Sequence, residues 1–243
     1  MILGDSLTSG IGVAEEDRYT DILERKLRER YPSVKLEVIN LGVQGFETVQ
    51  EEKIMHRFGT IVAPNLVIVG FYRNDPNITY DYYLPFKMPV PGLVRPLLER
   101  LIIFRLLEPY YDGLYRWTKN IPTHAHIAKQ AYNPESRDWK LFEQSVRNIA
   151  KWAINHTGQP PLAVFLRDDT IASKDREYQQ VRDIFVENGF VWCDTDAGHY
   201  HPVSRFEAHP NEESNWWYAD ALFKTIVQRN LIPAESPNTD ASQ

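Results

Sequence analysis

A three-layer α/β/α sandwich, with a mainly parallel sheet and one helical insertion, is the α/β fold that this 243-residue sequence predicts. Three observations carry the prediction. Short apolar runs alternate with amphipathic helical patterns, the rhythm of a parallel sheet covered on both faces. Two of the runs, Leu66–Phe71 and Pro161–Leu166, are continuously apolar, as strands buried on both faces are. One stretch, about 80–135, abandons the rhythm and is rich in Tyr, Pro and Leu.

The elements follow in order. Met1-Ile2-Leu3 is the first strand. It is short for a central strand. That points to a natural protein extending further upstream, where a removed signal or anchor could lie, so localisation is not readable. Arg18–Arg30 sets Tyr19, Ile22, Leu23 and Leu27 on one helical face, and Pro32 stops it. Leu36–Asn40 and Leu66–Phe71 are the next strands. Trp139–Asn155 spaces Phe142, Val146, Ile149 and Ala153 as a buried helical face does. Pro161–Leu166 is a strand, Tyr178–Glu187 a helix ended by Asn188-Gly189, Phe190–Cys193 a strand, and Asn215–Gln228 the last helix. One domain is expected over 1–232, with a polar, disordered tail over 233–243. No internal repeat is visible. Within the insertion, Leu93–Leu107 carries a leucine-rich stripe broken by charges. Its readings, in order of preference, are packing on the domain's own core, walling a substrate pocket, and lying on a membrane surface.

Composition removes some classes. The formal charge is −6, so there is no general basic surface and no nucleic-acid partner is expected. Cys193 is the only cysteine, so no intrachain disulfide forms, and the redox compartment is not readable. No apolar stretch is long enough to read as a transmembrane helix. Oligomeric state is not readable.

Chemistry-bearing residues gather at predicted strand ends. Gly4-Asp5-Ser6-Leu7-Thr8-Ser9-Gly10 follows the first strand. Asn40-Leu41-Gly42-Val43-Gln44-Gly45 ends the second. Gly70-Phe71-Tyr72-Arg73-Asn74-Asp75 ends the third, and His209-Pro210-Asn211 precedes the last helix. In parallel sheets ligands sit at the carboxyl ends of strands. A serine hydroxyl needs a base to take its proton and donors to receive the oxyanion. All of these types are present.

Four such blocks in this order resemble the SGNH hydrolases, also called GDSL esterases and lipases. The resemblance spans Gly4 to about Val227. It implies a flavodoxin-like sandwich, no cofactor, and Ser6 as nucleophile with His209 as base. It implies an oxyanion hole from the Ser6 and Gly45 backbone amides and the Asn74 side chain. The third block has two more residues between Gly70 and Asn74 than the commonest form. The acid also departs: the family's commonest position, three before the histidine, is Phe206. Glu207 lies two before His209 and is the expected orienting acid of a Ser6–His209–Glu207 triad. The alternative is a Ser–His dyad helped by a backbone carbonyl, or by Asp194 or Asp196 from the preceding strand end. Asp5 and Asp75 are expected to hydrogen-bond locally, and Arg73 to be a surface residue.

The function expected is that of a serine esterase acting on short-chain acyl or acetyl esters, of small molecules or carbohydrates, through an acyl-serine. An O-acyltransferase of the same fold and a catalytically silent binding module are the alternatives. Two His-x-His pairs, His124/His126 and His199/His201, raise zinc as a competing reading, but no metal site is expected.

Overall fold

The computed structural model describes residues 1–76, 87–119, 131–168, 175–195, 197–205 and 207–232. The chain divides into two compact units, Met1–Asp75 with Leu141–Gln243, and Pro76–Lys140. The expected tail over 233–243 lies outside the described residues, as do 80–86 and 120–130 of the insertion.

The first unit is the α/β/α sandwich. Its strands β1 (Ile2–Gly4), β2 (Asn40–Gly42), β3 (Ile68–Phe71), β4 (Leu162–Phe165) and β5 (Val191–Asp194) form one parallel sheet. The strand order is β2-β1-β3-β4-β5. The order reverses between β1 and β3, and such a switch point opens a crevice at the carboxyl ends of the strands. Period-two alternation sorts the side chains. Ile2, Ile68, Leu162 and Val164 pack in one cluster with Leu23 of α2 (Tyr19–Arg30) and with Leu222 and Ile226 near the chain's end. Phe71 takes the opposite face. It lies 5.7 Å, ring centre to ring centre, from both Phe142 of the helix Arg137–Thr157 and Phe185 of the helix Arg176–Glu187. Fully burying such a side chain is worth about 1.5–3 kcal/mol.

β1 is an inner strand of three residues, paired on both sides: Ile2 faces Asn40 and Ile68, and Gly4 faces Gly42 and Gly70. Those three glycines form a row across the strand ends, and α1 (Ser6–Ser9) sits down on it. A Cβ on Gly4 would come within 2.0 Å of Thr8 Oγ1, and one on Gly42 within 2.5 Å of the Ser9 nitrogen. Only bare backbone lets the α1 turn approach this closely.

Two parts differ from the sequence reading. The second strand is Asn40–Gly42 rather than Leu36–Asn40. The backbone of the preceding run bonds side chains of α2 instead: Val38 N–H donates to Glu24 Oε2 at 2.6 Å, and Leu36 C=O accepts from Arg28 Nε at 2.9 Å. A helix absent from the sequence reading, α3 (Thr48–Val62), fills the connection from β2 to β3.

The second unit holds α4 (Arg95–Leu98) and α5 (Ile102–Thr118). Arg95 Nη1 pairs with Glu99 at 3.1 Å and Glu108 at 2.8 Å, and Arg116 Nε pairs with Asp112 at 3.0 Å. The leucine stripe is not core, contrary to the preferred reading: Leu93, Leu97, Leu101, Leu106 and Leu107 are all exposed.

Among the described residues the remaining α-helices are α6 (Arg137–Thr157), which begins in the second unit and continues in the first, and α7 (Arg176–Glu187) and α8 (Glu212–Gln228) of the first.

Candidate active site

Ser6 is the first residue of α1, set directly after β1. Asp5 makes that possible: its Oδ1 accepts the Leu7 N–H at 2.9 Å and caps the turn. Gly10, at φ +78°, ends the turn, and its N–H returns to the Ser6 carbonyl. The loop after β2 lies at the same end, because the Val43 N–H donates to the Gly4 carbonyl at 3.0 Å. Gly45 stands in that loop at φ +74°, a conformation L-residues rarely adopt. After β3 the chain closes a tight turn around Asn74. Tyr72 N–H donates to Asp75 Oδ2 and Asp75 N–H to the Tyr72 carbonyl, both at 3.0 Å.

His209 arrives on a hairpin that the sequence reading lacked, β6 (Pro202–Ser204) against β7 (Glu207–Pro210). Strands of three and four residues, each with a proline, give no alternation to read. The hairpin is anchored by α8. Asn211 caps that helix by accepting the Ser214 N–H at 3.0 Å. Asn215 donates to the Pro210 and Asn211 carbonyls and accepts the Tyr19 N–H at 3.0 Å. β7 packs against α1, and His209 is close enough to Asp5 to favour its carboxylate form.

Glu207 holds His209 twice. Its Oε1 lies 2.5 Å from Nδ1 and accepts the His209 N–H at 3.2 Å. These contacts hold the Glu207 carboxyl below the usual carboxylate range. The alternative acid Asp194 is occupied elsewhere, accepting from Tyr178 OH at 2.8 Å and lying 3.4 Å from Arg167 Nη1. Asp196 lies outside the described residues. His199 stacks on Trp217 at 3.7 Å, and His201 lies 3.9 Å from Glu213. His124 and His126 lie outside the described residues; among the described ones no three His, Cys, Asp or Glu are grouped to hold a metal ion. Arg73 is tied down, 3.1 Å from Asp168, which also accepts from Tyr72 OH at 2.7 Å.

Around the serine turn lies a second set of acids that the sequence reading missed in part. Asp5, Asp75, Glu47 and Glu51 are all buried. Asp5 and Asp75 hydrogen-bond locally, as expected. Among the described residues, neither oxygen of Glu51 has a hydrogen-bond partner, and Asp5 Oδ2, Asp75 Oδ1 and Thr48 Oγ1 also lack one. Burial pushes Asp5 up to about 6. Burial, reinforced by the neighbouring carboxylates, pushes Glu51 and Asp75 well above the ordinary range. Burial and the nearby like charges both disfavour the ionised forms of Glu51 and Asp75. The overlooked signal was periodic: Thr48, Glu51, Met55 and Gly59 are the buried stripe of α3, so Glu51 occupies a core position.

No protein-family model and no curated protein matches this sequence. Solved structures do share its fold. TesA superposes with a TM-score of 0.55 at 11% identity, over 95% of this chain and 98% of that one. The acetyl xylan esterase AlAXEase gives 0.53 at 13%, over 93% and 98%. LAE5, described as an alpha/beta hydrolase enzyme from the metagenome of Lake Arreo, Spain, gives 0.51 at 16%, over 92% of each chain. At such identities the likeness establishes the α/β/α architecture.

Proposed function

We propose that this chain is a serine hydrolase of the SGNH type. In this reading it cleaves carboxylic esters, short-chain acyl or acetyl esters first, through an acyl-serine on Ser6. The observation that carries the reading is the 2.5 Å contact between Glu207 Oε1 and His209 Nδ1. A carboxylate on Nδ1 fixes the tautomer, so that Nε2 is the nitrogen that accepts a proton.

In the proposed cycle Ser6 Oγ attacks the acyl carbon as His209 Nε2 takes its proton. The Ser6 and Gly45 N–H groups and the Asn74 amide receive the oxyanion. The imidazolium then gives its proton to the departing alcohol. Water repeats the sequence on the acyl-serine, with His209 again as base, and frees the acid. The left-handed Gly45 supports this reading, since a loop without a side chain opens its N–H to a ligand. So do the names of two fold neighbours, a hydrolase and an acetyl xylan esterase; the latter points toward a carbohydrate ester.

The test is covalent labelling joined to turnover. A fluorophosphonate should modify Ser6, mapped by mass spectrometry, and block hydrolysis of p-nitrophenyl acetate. A chain-length series of p-nitrophenyl esters then ranks acyl preference. Labelling at another serine, or undiminished turnover by Ser6→Ala, overturns the reading. Faster acyl transfer to a sugar hydroxyl than to water turns it into the acyltransferase.

A further inference from the structure

We propose that the outward face of α5 docks the second unit onto an anionic lipid surface, with the helix lying in the plane of the membrane.

Helix α5 is inside out. A surface helix normally turns its apolar stripe inward and its charges outward. Here Ile102, Ile103, Leu106, Tyr110, Leu114 and Trp117 are 58 to 80% exposed. The inward stripe carries Phe104 together with Asp112 and Arg116, buried as an ion pair. Burying such a pair gains little over an apolar one and usually costs stability. The arrangement makes physical sense only if the outward face has an apolar partner of its own.

The exposure is concentrated. Of sixteen large hydrophobic residues exposed among those described, eleven fall between Leu93 and Trp117. Scattered single residues are normal on a protein surface, but a contiguous patch marks an interaction site.

Charge decides between occupants. The chain carries −6 overall, yet residues 87–119 hold six Lys and Arg against three Asp and Glu. Arg95 takes up Glu99 and Glu108, and Arg116 takes up Asp112. Lys87, Arg100, Arg105 and Lys119 have no carboxylate partner among the described residues. A two-fold dimer through this face would present the same excess of cations from both copies, with no added anions to meet it. Anionic headgroups neutralise them instead, at about 1 kcal/mol per cation near the surface. Tyr110 and Trp117 add amphipathic rings, which favour the membrane–water boundary. No described helix is long and apolar enough to cross a membrane, so α5 would lie on the surface rather than span it.

The test is vesicle flotation with the full chain. Phosphatidylglycerol-containing vesicles should carry the protein, pure phosphatidylcholine vesicles much less of it, and raised salt should weaken the binding. Leu106→Glu with Leu114→Glu should reduce binding by about tenfold or more. Arg100→Glu with Arg105→Glu should remove the preference for anionic lipid. All four positions are exposed, so unchanged circular dichroism and Tm verify the fold of each variant. Sedimentation velocity runs alongside. The proposal is overturned if wild type does not float, if it floats equally with the leucine variant, or if the face instead supports a dimer that the leucine variant dissociates. The readout needs no turnover, so a failure here is separate from a failure of the esterase reading.

Discussion

Two glutamates near the same serine turn have opposite fates. Glu207 is on an exposed hairpin, grips His209 at 2.5 Å, and is held below the ordinary carboxylate range. Glu51 is buried on α3, has no hydrogen-bond partner among the described residues, and is pushed well above that range. The same functional group prefers to lose its proton in one place and keep it in the other. Near the surface with an imidazole at hand, partnership prevails; in the interior with other acids for neighbours, desolvation prevails. The difference teaches where each acid can act. A charged, partnered carboxylate can orient a base, and a neutral buried one can only shape the scaffold.

If that division holds, substitutions in the partnered region should lower kcat, and those in the unpartnered one should change stability with pH. The largest effect belongs to Ser6→Ala, which should lower kcat by about 10⁴-fold or more with the fold intact. Retained turnover would remove the chemistry from this end of the sheet. Asn74→Ala should cost about 10²- to 10³-fold in kcat, the usual loss of one oxyanion donor, measured against an unchanged Tm. Glu207→Ala should cost about 10²-fold, less than Ser6→Ala, because solvent replaces part of an exposed carboxylate's influence. Equal rates for wild type and Glu207→Ala would break the comparison from the partnered side.

The smallest effect on turnover, and the sharpest on stability, is expected at Glu51. Acids whose proton affinity is raised by folding disfavour the folded state as pH climbs. Their penalty is absent below the unfolded value of about 4 and grows until the folded value is passed. For Asp5, lifted from 3.8 to about 6, this amounts to about 3 kcal/mol across that window. Wild-type Tm should therefore fall as pH rises from about 4 to about 7. Glu51→Gln should flatten that slope while leaving kcat within about threefold of wild type. A slope identical to wild type would show that Glu51 carries no extra proton. A slope of the opposite sign would show that the group is ionised and paired after all.

Much of this was legible in the residues. The buried strands at Leu66–Phe71 and Pro161–Leu166 announced themselves by unbroken apolar runs, and the structure places β3 and β4 inside them. The acid-x-His spacing of Glu207 and His209 pointed to the acid through the family resemblance; that the two residues share one face of a strand and touch at 2.5 Å came from the structure. Helix α3 was not legible: a glutamate stands at a core position of its buried stripe, and a charged residue there hides the amphipathic pattern. Strand β2 was misplaced because the side chains of α2 claim backbone groups that a sheet neighbour would otherwise take.

By itself, then, the sequence determined the alternation of strand and helix and the order of the four motif blocks. Only the tertiary structure decided that Asp5, Glu51 and Asp75 are buried near one another, that Glu207 rather than Asp194 meets His209, and that α5 turns its leucines outward. Periodicity states which residues share a face. It does not state whether that face meets water, protein or another charge, because burial is settled by what the rest of the chain packs against it.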